Sequence, residues 1–464
     1  MKKPNIVYVF ADQLRYTGLG CNGNPDIHTP NFDQLAADGM VFDQAFSACP
    51  ICSPYRAQVL SGRYSHQNGV VCNEYELRRD IPTLPGVLGQ AGYHTAYVGK
   101  WHLGYGPYPP EKRYGFDYMA AYNINRDAFC GAYHANEEGP FEMRDWHPKM
   151  ETDLAIDFIR EHQGSRPGDP FFLMMSWLPP HWPYETFPEE YNIYDPARLT
   201  ISPNTPKQLE AWERRETALY YGNVTGLDDQ FGRLLRALDE MGLREDTIVC
   251  FTSDHGDHLG SHGYGKPSDR WLHHTKRGSK ATPFEESIHI PFLMRWPGHV
   301  PAGQRTQAIF SSVDVMPTLL GLAGVAPPQG LAGADLSFVP LGGEGEAPGS
   351  AYLQILGPGW PHRGPWLGYW RGVRTHQYVY ARWYGNEVEP MLYDVQADPY
   401  ELNNLYGKPE YAQVQARMET LLQEWMAKTS DPFETGERDP ETGMLLLGQK
   451  FIHEKWERTA PKHP

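Results

Sequence analysis

The amino-acid sequence predicts an α/β protein in which helices sandwich a large, mostly parallel sheet, followed by a smaller C-terminal α+β domain. The chain has 464 residues, about three times the ~150 of a typical domain, which favours two domains of unequal size. Short apolar runs recur between helical or loop patterns, as in buried parallel sheets. The stretch LGGEGEAPGS at 341–350 is the clearest linker, so we predict domains at 1–345 and 350–464.

Five short segments predict strands. The apolar runs Asn5–Phe10, Phe171–Ser176 and Thr247–Thr252 have the length and composition of buried strands in the large sheet. Beyond the linker, Tyr352–Leu356 and Tyr378–Arg382 have the pattern of antiparallel strands. The order of these segments along the chain indicates one large sheet and a second, smaller one.

The last helical pattern runs from 409 to 429. Its apolar residues recur at helical spacing and fall on one face, which comprises Val414, Met418, Leu421, Leu422 and Trp425. We expect this face to pack against the hydrophobic core.

Composition and charge exclude several classes of protein. Apolar residues make up 40% of the chain, too many for a disordered one. The net charge of −16 argues against a nucleic-acid partner or an anionic membrane surface. The longest later apolar run, Phe171–Leu178, is far shorter than the ~20 residues of a membrane helix. The run Ile6–Phe10 is too short for a signal peptide, so we expect a cytoplasmic protein, or a periplasmic or secreted one if the sequence has been trimmed.

Acidic residues follow two of the predicted strands. Asp12 and Gln13 come after the first strand, and Asp254 and His255 come after the strand near residue 250. Because ligands collect at the carboxyl ends of parallel strands, these four side chains could meet around one divalent cation. Two carboxylates, an amide oxygen and one imidazole suit Ca²⁺, or Mg²⁺, better than zinc. Alternatively, each aspartate only caps the turn that follows it.

The segment CSPYRAQVLSGR at 52–63 predicts an anion site at the start of a helix. Ser53 is suited to the N-cap and Pro54 to the first helical position, so the thiol of Cys52 is expected just outside the helix. Backbone amides and the helix dipole favour anions there. Arg56, four residues after Cys52, projects from the same face and could reach a bound anion.

The sequence resembles the type I sulfatases of the alkaline-phosphatase-like superfamily. In that family the cysteine of the signature is oxidised to formylglycine, so the resemblance implies formylglycine at Cys52, produced by a formylglycine-generating enzyme. Tyr55 stands where the family more often has Ser or Thr, and Gln13 and His255 replace the Asp and Asn of some relatives. The matching segments cover most of the chain: PNIVYVFADQ (4–13), 52–63, GKWHLG (99–104), PPHWPY (179–184), FTSDHGDHLG (251–260) and LYDVQADPYELNNL (392–405).

The resemblance also implies a role for five basic residues. Arg56, Lys100 and Lys280 would stabilise the negative charge of the reacting sulfate, and the two lysines would touch its oxygens. His102 would be the base in the step that releases sulfate. His181 would contact the sulfate and protonate the leaving alkoxide, alone or with Lys280. A single lysine or histidine is usually a solvated or structural group, and the surrounding motifs favour the functional interpretation.

Candidates for substrate recognition come from two segments and several loops. Trp360, His362 and Arg363, close to Trp366, combine flat apolar faces with a cation, as in a sugar-binding subsite. Ordinary packing in an aromatic-rich sheet is the alternative. The basic segment 270–280 could contact a second anionic group or merely balance nearby carboxylates. Further loop candidates are Asn73, Glu74, Asn123 and Arg126.

The predicted function is hydrolysis of sulfate monoesters. The resemblance and the aromatic candidates favour a sulfated saccharide as the substrate among sulfated small molecules. A phosphonate or phosphate ester hydrolase on the same scaffold is the alternative enzyme, because the same cations would hold a phosphoryl group. An inactive binder of sulfated glycans is a third possibility, against which the intact Cys52, His102 and His181 argue. A two-zinc phosphatase needs a Ser or Thr nucleophile, where this chain has Cys52.

Overall fold

The computed structural model of the protein describes residues 3–125, 127–263, 280–357, 368–386, 388–440 and 443–447. Within these residues, ten strands form the larger sheet. They are β1 (Asn5–Asp12), β2 (Met40–Phe46), β3 (His94–Lys100), β4 (Tyr118–Tyr122), β5 (Gly131–Ala135), β6 (Glu138–Met143), β7 (Phe171–Pro180), β8 (Thr247–Ser253), β9 (Phe292–Arg295) and β10 (Gln304–Ser311). All three strands predicted for this sheet are present, as β1, β7 and β8.

The strand order of the large sheet is β10-β2-β9-β8-β1-β7-β3-β4-β5-β6. Five of its pairings are parallel and four are antiparallel, and β1 is paired in parallel with both β7 and β8. The prediction of a mostly parallel sheet is therefore confirmed. Because β1, β7 and β8 are adjacent and parallel, their carboxyl ends meet at one edge of the sheet.

Helices cover both faces of this sheet. In β1, the side chains of Ile6, Tyr8 and Phe10 enter one hydrophobic core, and those of Val7 and Val9 enter the other. Strands buried on both faces are continuously apolar, which explains the sequence of β1. The helices are α1 (Pro30–Ala37), α2 (Cys52–Ser61), α3 (Ser65–Asn68), α4 (Leu84–Gln90), α5 (His147–Ser165), α6 (Glu210–Glu240), α7 (Glu285–Ile288), α8 (Val315–Leu322) and α9 (Ala412–Thr429).

Different helices pack against the two faces of the large sheet. Residues of α1, α5 and α6 pack on the face that contains Val7, whereas α2, α4 and α8 pack on the face that contains Tyr8. The Tyr8 face also contacts apolar residues of the second sheet and of α9. Helix α2, which carries Cys52, therefore lies between the large sheet and the C-terminal region.

The second sheet is antiparallel and contains β11 (Ser350–Ile355), β12 (Trp370–Thr375), β13 (Tyr378–Trp383) and β14 (Met391–Asp394) in that order. Both predicted strands of this region are confirmed, as β11 and β13. Helix α9 confirms the last predicted helix, and Met418 and Leu422 of its apolar face are buried. The division into domains at 345 and 350 remains a prediction.

Two further observations concern membrane-spanning helices and disulfides. No helix among the described residues is long and apolar enough to cross a membrane. The six cysteines are free, including Cys49 and Cys52, which are spaced as a C-x-x-C pair. Cys52 is thus a thiol rather than half of a disulfide.

Candidate active site

The carboxyl ends of β1 and β8 bring two aspartates together. Asp12 is the last residue of β1 and Asp254 directly follows β8. Asp12, Cys52, Asp254 and His255 are buried, and each offers one ligand atom within 4.8 Å of those of the others. Three of the four predicted metal ligands therefore lie in one cluster with the predicted nucleophile.

The protonation behaviour of this cluster fits a cation site. Burial, and then the charge of Asp12, raises the pKa of Asp254 to about 7. Burial lowers the pKa of His255 to about 4, which keeps its imidazole neutral and able to bind a metal. The Asp254 Oδ2 atom is buried and accepts no hydrogen bond from the described residues. Two buried carboxylates beside a neutral imidazole match the ligands that a divalent cation takes.

Gln13, the fourth predicted ligand, is held in place by an aspartate two residues beyond His255. Its backbone N–H donates to Asp254 Oδ1 at 2.9 Å, and its side-chain Nε2 donates to Asp257 Oδ2 at 2.6 Å. The same Asp257 oxygen accepts a 2.5 Å hydrogen bond from the hydroxyl of Tyr184. Sequence reasoning missed Asp257 and Tyr184, although both lie in segments that carry the family resemblance.

The helix that carries Cys52 begins two residues earlier than the sequence predicts. Cys52 is the first residue of α2 and Ile51 is the N-cap, so the prediction of Ser53 as N-cap and Pro54 as first helical residue is wrong. The physical reason is tertiary: the Ser53 hydroxyl donates to the carbonyl of His102 at 2.5 Å instead of capping the helix. The thiol still lies at the helix N-terminus, where anions are favoured.

Arg56 lies one helical turn after Cys52 in α2, and its positive charge borders the site. Its guanidinium is 3.0 Å from Asp12 Oδ2 and 3.5 Å from Asp254 Oδ2. It also donates to Ser176 Oγ and to the carbonyl of Lys100, both at 2.6 Å. Burial opposes a charge here, but the surrounding acidic groups outweigh it and raise the pKa of Arg56, which stays charged.

Two lysines complete the cationic surroundings of Cys52. Lys100 Nζ contacts Asp12 Oδ2 at 2.6 Å, and Lys280 Nζ lies 3.2 Å from Cys52 Sγ and 3.3 Å from His255 Nε2. Burial opposes the charge of Lys280, but Cys52 and the aspartates outweigh it and raise the pKa of its ammonium. Lys280, predicted from a loosely defined segment, therefore lies beside Cys52, the predicted nucleophile.

His102 follows β3 and is buried beside a carboxylate. Its Nε2 is 3.6 Å from Glu74 Oε1, and its backbone N–H donates to the carbonyl of Asn123 at 3.0 Å. Burial, with the nearby cations Lys100 and Arg56, lowers the pKa of His102 well below 6.5, so its neutral form is available as a base. Glu74, predicted as a loop candidate for substrate recognition, contacts the predicted base.

His181 lies just beyond β7. Its Nδ1 is 2.6 Å from the carbonyl oxygen of Trp182, which can only accept, so Nδ1 carries a hydrogen. Burial, and then the charge of Lys280, lowers the pKa of His181 well below its ordinary value of 6.5. Asp12 and Lys100 also act on this pKa, which places His181 in the electrostatic field of the site.

Several predicted residues lie outside the described part of the chain. They are Arg126, the basic segment 270–279, and the proposed sugar-binding residues Trp360, His362, Arg363 and Trp366. The prediction of a sugar-binding subsite stays a prediction.

Comparison with known proteins identifies the family. The family model described as sulfatase matches residues 4–325, and the model described as the C-terminal part of N-sulphoglucosamine sulphohydrolase matches residues 278–428. The chain belongs to the sulfatase family. This sulfatase is a sulfuric ester hydrolase, and its family implies a formylglycine and a divalent metal.

Among its relatives, the sulfatase is 35% identical to the ulvan-active sulfatase of Formosa agariphila over 445 residues, which cover 93% of this chain and 83% of the relative. It is 31% identical to the endo-4-O-sulfatase of Bacteroides thetaiotaomicron, with 91% of this chain and 92% of the relative covered.

Solved structures share the fold of the sulfatase. A protein from work on glycosaminoglycan metabolism in Bacteroides thetaiotaomicron has a TM-score of 0.82 at 29% identity, with 93% of this chain and 98% of that chain covered. A protein solved with its substrate, D-glucosamine-2-N,6-O-disulfate, has a TM-score of 0.78 at 26% identity and covers 94% of this chain and 100% of that chain. The alkaline-phosphatase-like fold predicted from the sequence is therefore confirmed.

Proposed function

We propose that this sulfatase removes sulfate from a sulfated saccharide, with a formylglycine made from Cys52 as its nucleophile. The observation that carries the proposal is the set of three cations, Arg56, Lys100 and Lys280, that surrounds the Cys52 position beside two buried aspartates. A saccharide substrate is supported by relatives whose names refer to ulvan or to sulfated sugars and by a neighbour solved with a sulfated glucosamine.

We propose Ca²⁺ as the cation, held by Asp12, Gln13, Asp254 and His255. Three of these ligands are oxygen donors, which Ca²⁺ and Mg²⁺ prefer. When bound, the cation would polarise a sulfate oxygen and increase the acidity of the nucleophile. Formylglycine, produced by a formylglycine-generating enzyme, would add water to form a hydrate, which would supply one hydroxyl as the nucleophile and a second hydroxyl that allows sulfate to be released.

The basic residues around Cys52 have separate tasks in this proposal. The ammonium groups of Lys100 and Lys280 bind sulfate oxygens. Arg56, fixed by Asp12 and Ser176, adds a third positive charge that matches the negative charge developing on the sulfate. Because a guanidinium so buried cannot turn to solvent, Arg56 is oriented before the substrate arrives.

Two histidines move protons. Neutral His102, beside Glu74, accepts a proton in the step that releases sulfate. The Nδ1–H of His181 is committed to the carbonyl of Trp182, so its Nε2 is the atom that gives a proton to the leaving alkoxide. A bound sulfate monoester adds negative charge near His181, which favours the protonated form required for that step.

A phosphonate or phosphate ester hydrolase is the second candidate. Phosphonate monoester hydrolases share the fold, with a TM-score of 0.72 at 23% identity, and the same three cations would suit a phosphoryl group. A matched comparison of an aryl sulfate and an aryl phosphonate with one leaving group separates the two. A higher kcat/KM on the phosphonate would reverse the assignment.

The saccharide is identified by a screen. Chain produced together with a formylglycine-generating enzyme is incubated with defined sulfated mono- and disaccharides, and released sulfate is measured. Sulfate release from at least one saccharide, abolished by Cys52→Ala, supports the proposal. Turnover of the aryl sulfate without turnover of any saccharide would contradict the substrate class while leaving the enzyme class intact.

A further inference from the structure

A second cluster of possible metal ligands lies apart from Cys52. His262 lies in the loop after β8, Glu286 in α7 and Glu401 in the C-terminal region that follows β14. One ligand atom of each lies within 4.8 Å of those of the other two. None of the three belongs to the active-site cluster. The second cluster, as we call His262, Glu286 and Glu401, therefore joins three distant segments of the chain.

The carboxylates of the second cluster have oxygens that the protein leaves unpaired. Glu401 is only 2% exposed, and its Oε1 has no hydrogen-bond partner among the described residues. Its other oxygen accepts the backbone N–H of Glu285 at 2.8 Å. The buried Glu286 Oε2 also lacks a hydrogen bond and lies 3.5 Å from His262 Nε2. Buried carboxylate oxygens without a partner are costly, so they indicate a missing cation or proton.

The neighbouring arginines are committed elsewhere. Arg374 pairs with Glu285 at 2.7 Å, and Arg15 donates to Thr17 Oγ1 at 2.8 Å. Within the described part of the chain, no lysine or arginine nitrogen comes within 4.0 Å of Glu286 or Glu401. Among the described residues, the negative charge of the second cluster is therefore not balanced by a direct ion pair with a lysine or an arginine.

Asn204 connects the same three segments. Its Nδ2 lies 2.6 Å from Glu286 Oε1, 3.0 Å from His262 Nε2 and 3.1 Å from the carbonyl of Tyr400. When His262 Nε2 carries no hydrogen, the two hydrogens of the amide nitrogen face three acceptors, and one acceptor is left without a hydrogen bond. Binding of His262 Nε2 to a cation would remove this conflict.

We propose that His262 Nε2 and the carboxylates of Glu286 and Glu401 bind a second divalent cation, of the class of Zn²⁺ or Mn²⁺. One imidazole and two carboxylates form a donor set of intermediate softness that suits these ions. The ion fastens the C-terminal segment at Glu401 to α7 and to the segment at His262. Its role is structural, and it takes no part in the chemistry at Cys52.

Metal analysis of the intact chain tests the proposal. The protein is stripped with a chelator, reloaded with ZnCl₂ in the presence of saturating CaCl₂, desalted, and analysed for both metals. We expect one tightly bound Zn²⁺ per wild-type chain, and none in Glu401→Gln or His262→Gln. Glu285→Gln is the matched control, because its carboxylate pairs with Arg374 and is not a ligand, so it should retain the ion.

Anomalous diffraction at the zinc edge from wild-type crystals keeps the test independent of whether the variants fold. A peak between His262, Glu286 and Glu401 supports the proposal. It is overturned if the wild type holds no zinc, if zinc is lost only with Asp254→Ala, or if Glu401→Gln retains it. In those cases protons or water satisfy the second cluster.

Discussion

Replacement of His181 by alanine distinguishes a proton donor from a residue that only binds sulfate. The Trp182 carbonyl fixes Nδ1–H at 2.6 Å, and Nε2 is the atom that remains for proton transfer. A sugar alkoxide is a poor leaving group that needs this proton, whereas a nitrophenolate leaves almost unaided. The loss of rate should therefore depend on the leaving group.

The expected loss of rate in His181→Ala follows from the usual contribution of general acid catalysis. Such a proton transfer contributes about 10² to 10⁴ in rate, equivalent to roughly 3 to 5 kcal/mol of barrier. We expect His181→Ala to lower kcat by about this factor on a sugar sulfate and by less than about tenfold on nitrophenyl sulfate. Initial rates at saturating concentrations of both substrates measure the two effects. The exposed His299, stacked on Trp296, provides a control variant that should change neither rate.

The pH profile gives a second readout. His181 must be protonated to act, and its pKa is lowered from 6.5 in the free protein, so kcat/KM on the sugar sulfate should fall as pH rises through that lowered value. Lys280 has a raised pKa, and as donor it would keep the rate up to alkaline pH. Equal losses on both substrates, with no decline in rate between acidic and neutral pH, would refute the assignment to His181 and transfer the proton to Lys280.

Four other outcomes are expected. Mass spectrometry with an aldehyde-trapping reagent should detect formylglycine at Cys52 in active enzyme; full activity with the thiol intact would exclude this nucleophile. Asp254→Ala should abolish Ca²⁺ binding after chelation and dialysis, since it removes a ligand and a charge, and unchanged Ca²⁺ content would place the cation elsewhere. His102→Ala should slow sugar and aryl sulfates alike, because sulfate release is common to both; a loss confined to sugar sulfates would make it the acid instead. Tyr184→Phe removes a hydrogen bond to Asp257 and should weaken Ca²⁺ binding about 10- to 100-fold, measured by calorimetry; an unchanged Kd would show that this link does not position the ligands.

The central strands could be predicted because their signal is local. The runs that became β1, β7 and β8 are apolar throughout, since both faces of the sheet are covered, and no long-range information is needed to recognise them. The outer strands β5 and β6 were not predicted. Only Met143 of their residues is buried, and glycine, proline and glutamate interrupt the apolar residues, so their sequence carries no such run.

In the candidate active site, too, local sequence patterns predicted some features, and contacts between distant segments decided the others. Asp12 and Asp254 could be predicted because each follows an apolar strand. The resemblance to family motifs predicted the other site residues, which are Cys52, Arg56, Lys100, His102, His181 and Lys280. The start of α2 was predicted incorrectly because Ser53 has a partner 49 residues away, at the carbonyl of His102. Local capping preference gives no information about a contact of that kind.

The amino-acid sequence by itself determined the family, the large parallel sheet and the residues around Cys52, because these depend on apolar runs and on short segments. Only the tertiary structure decided that Glu74 lies beside His102, that Asp257 and Tyr184 hold Gln13, and that the second cluster forms. Asp257 and Gln13 are 244 residues apart, and which distant side chains meet is set by the packing of strands and helices rather than by any local pattern.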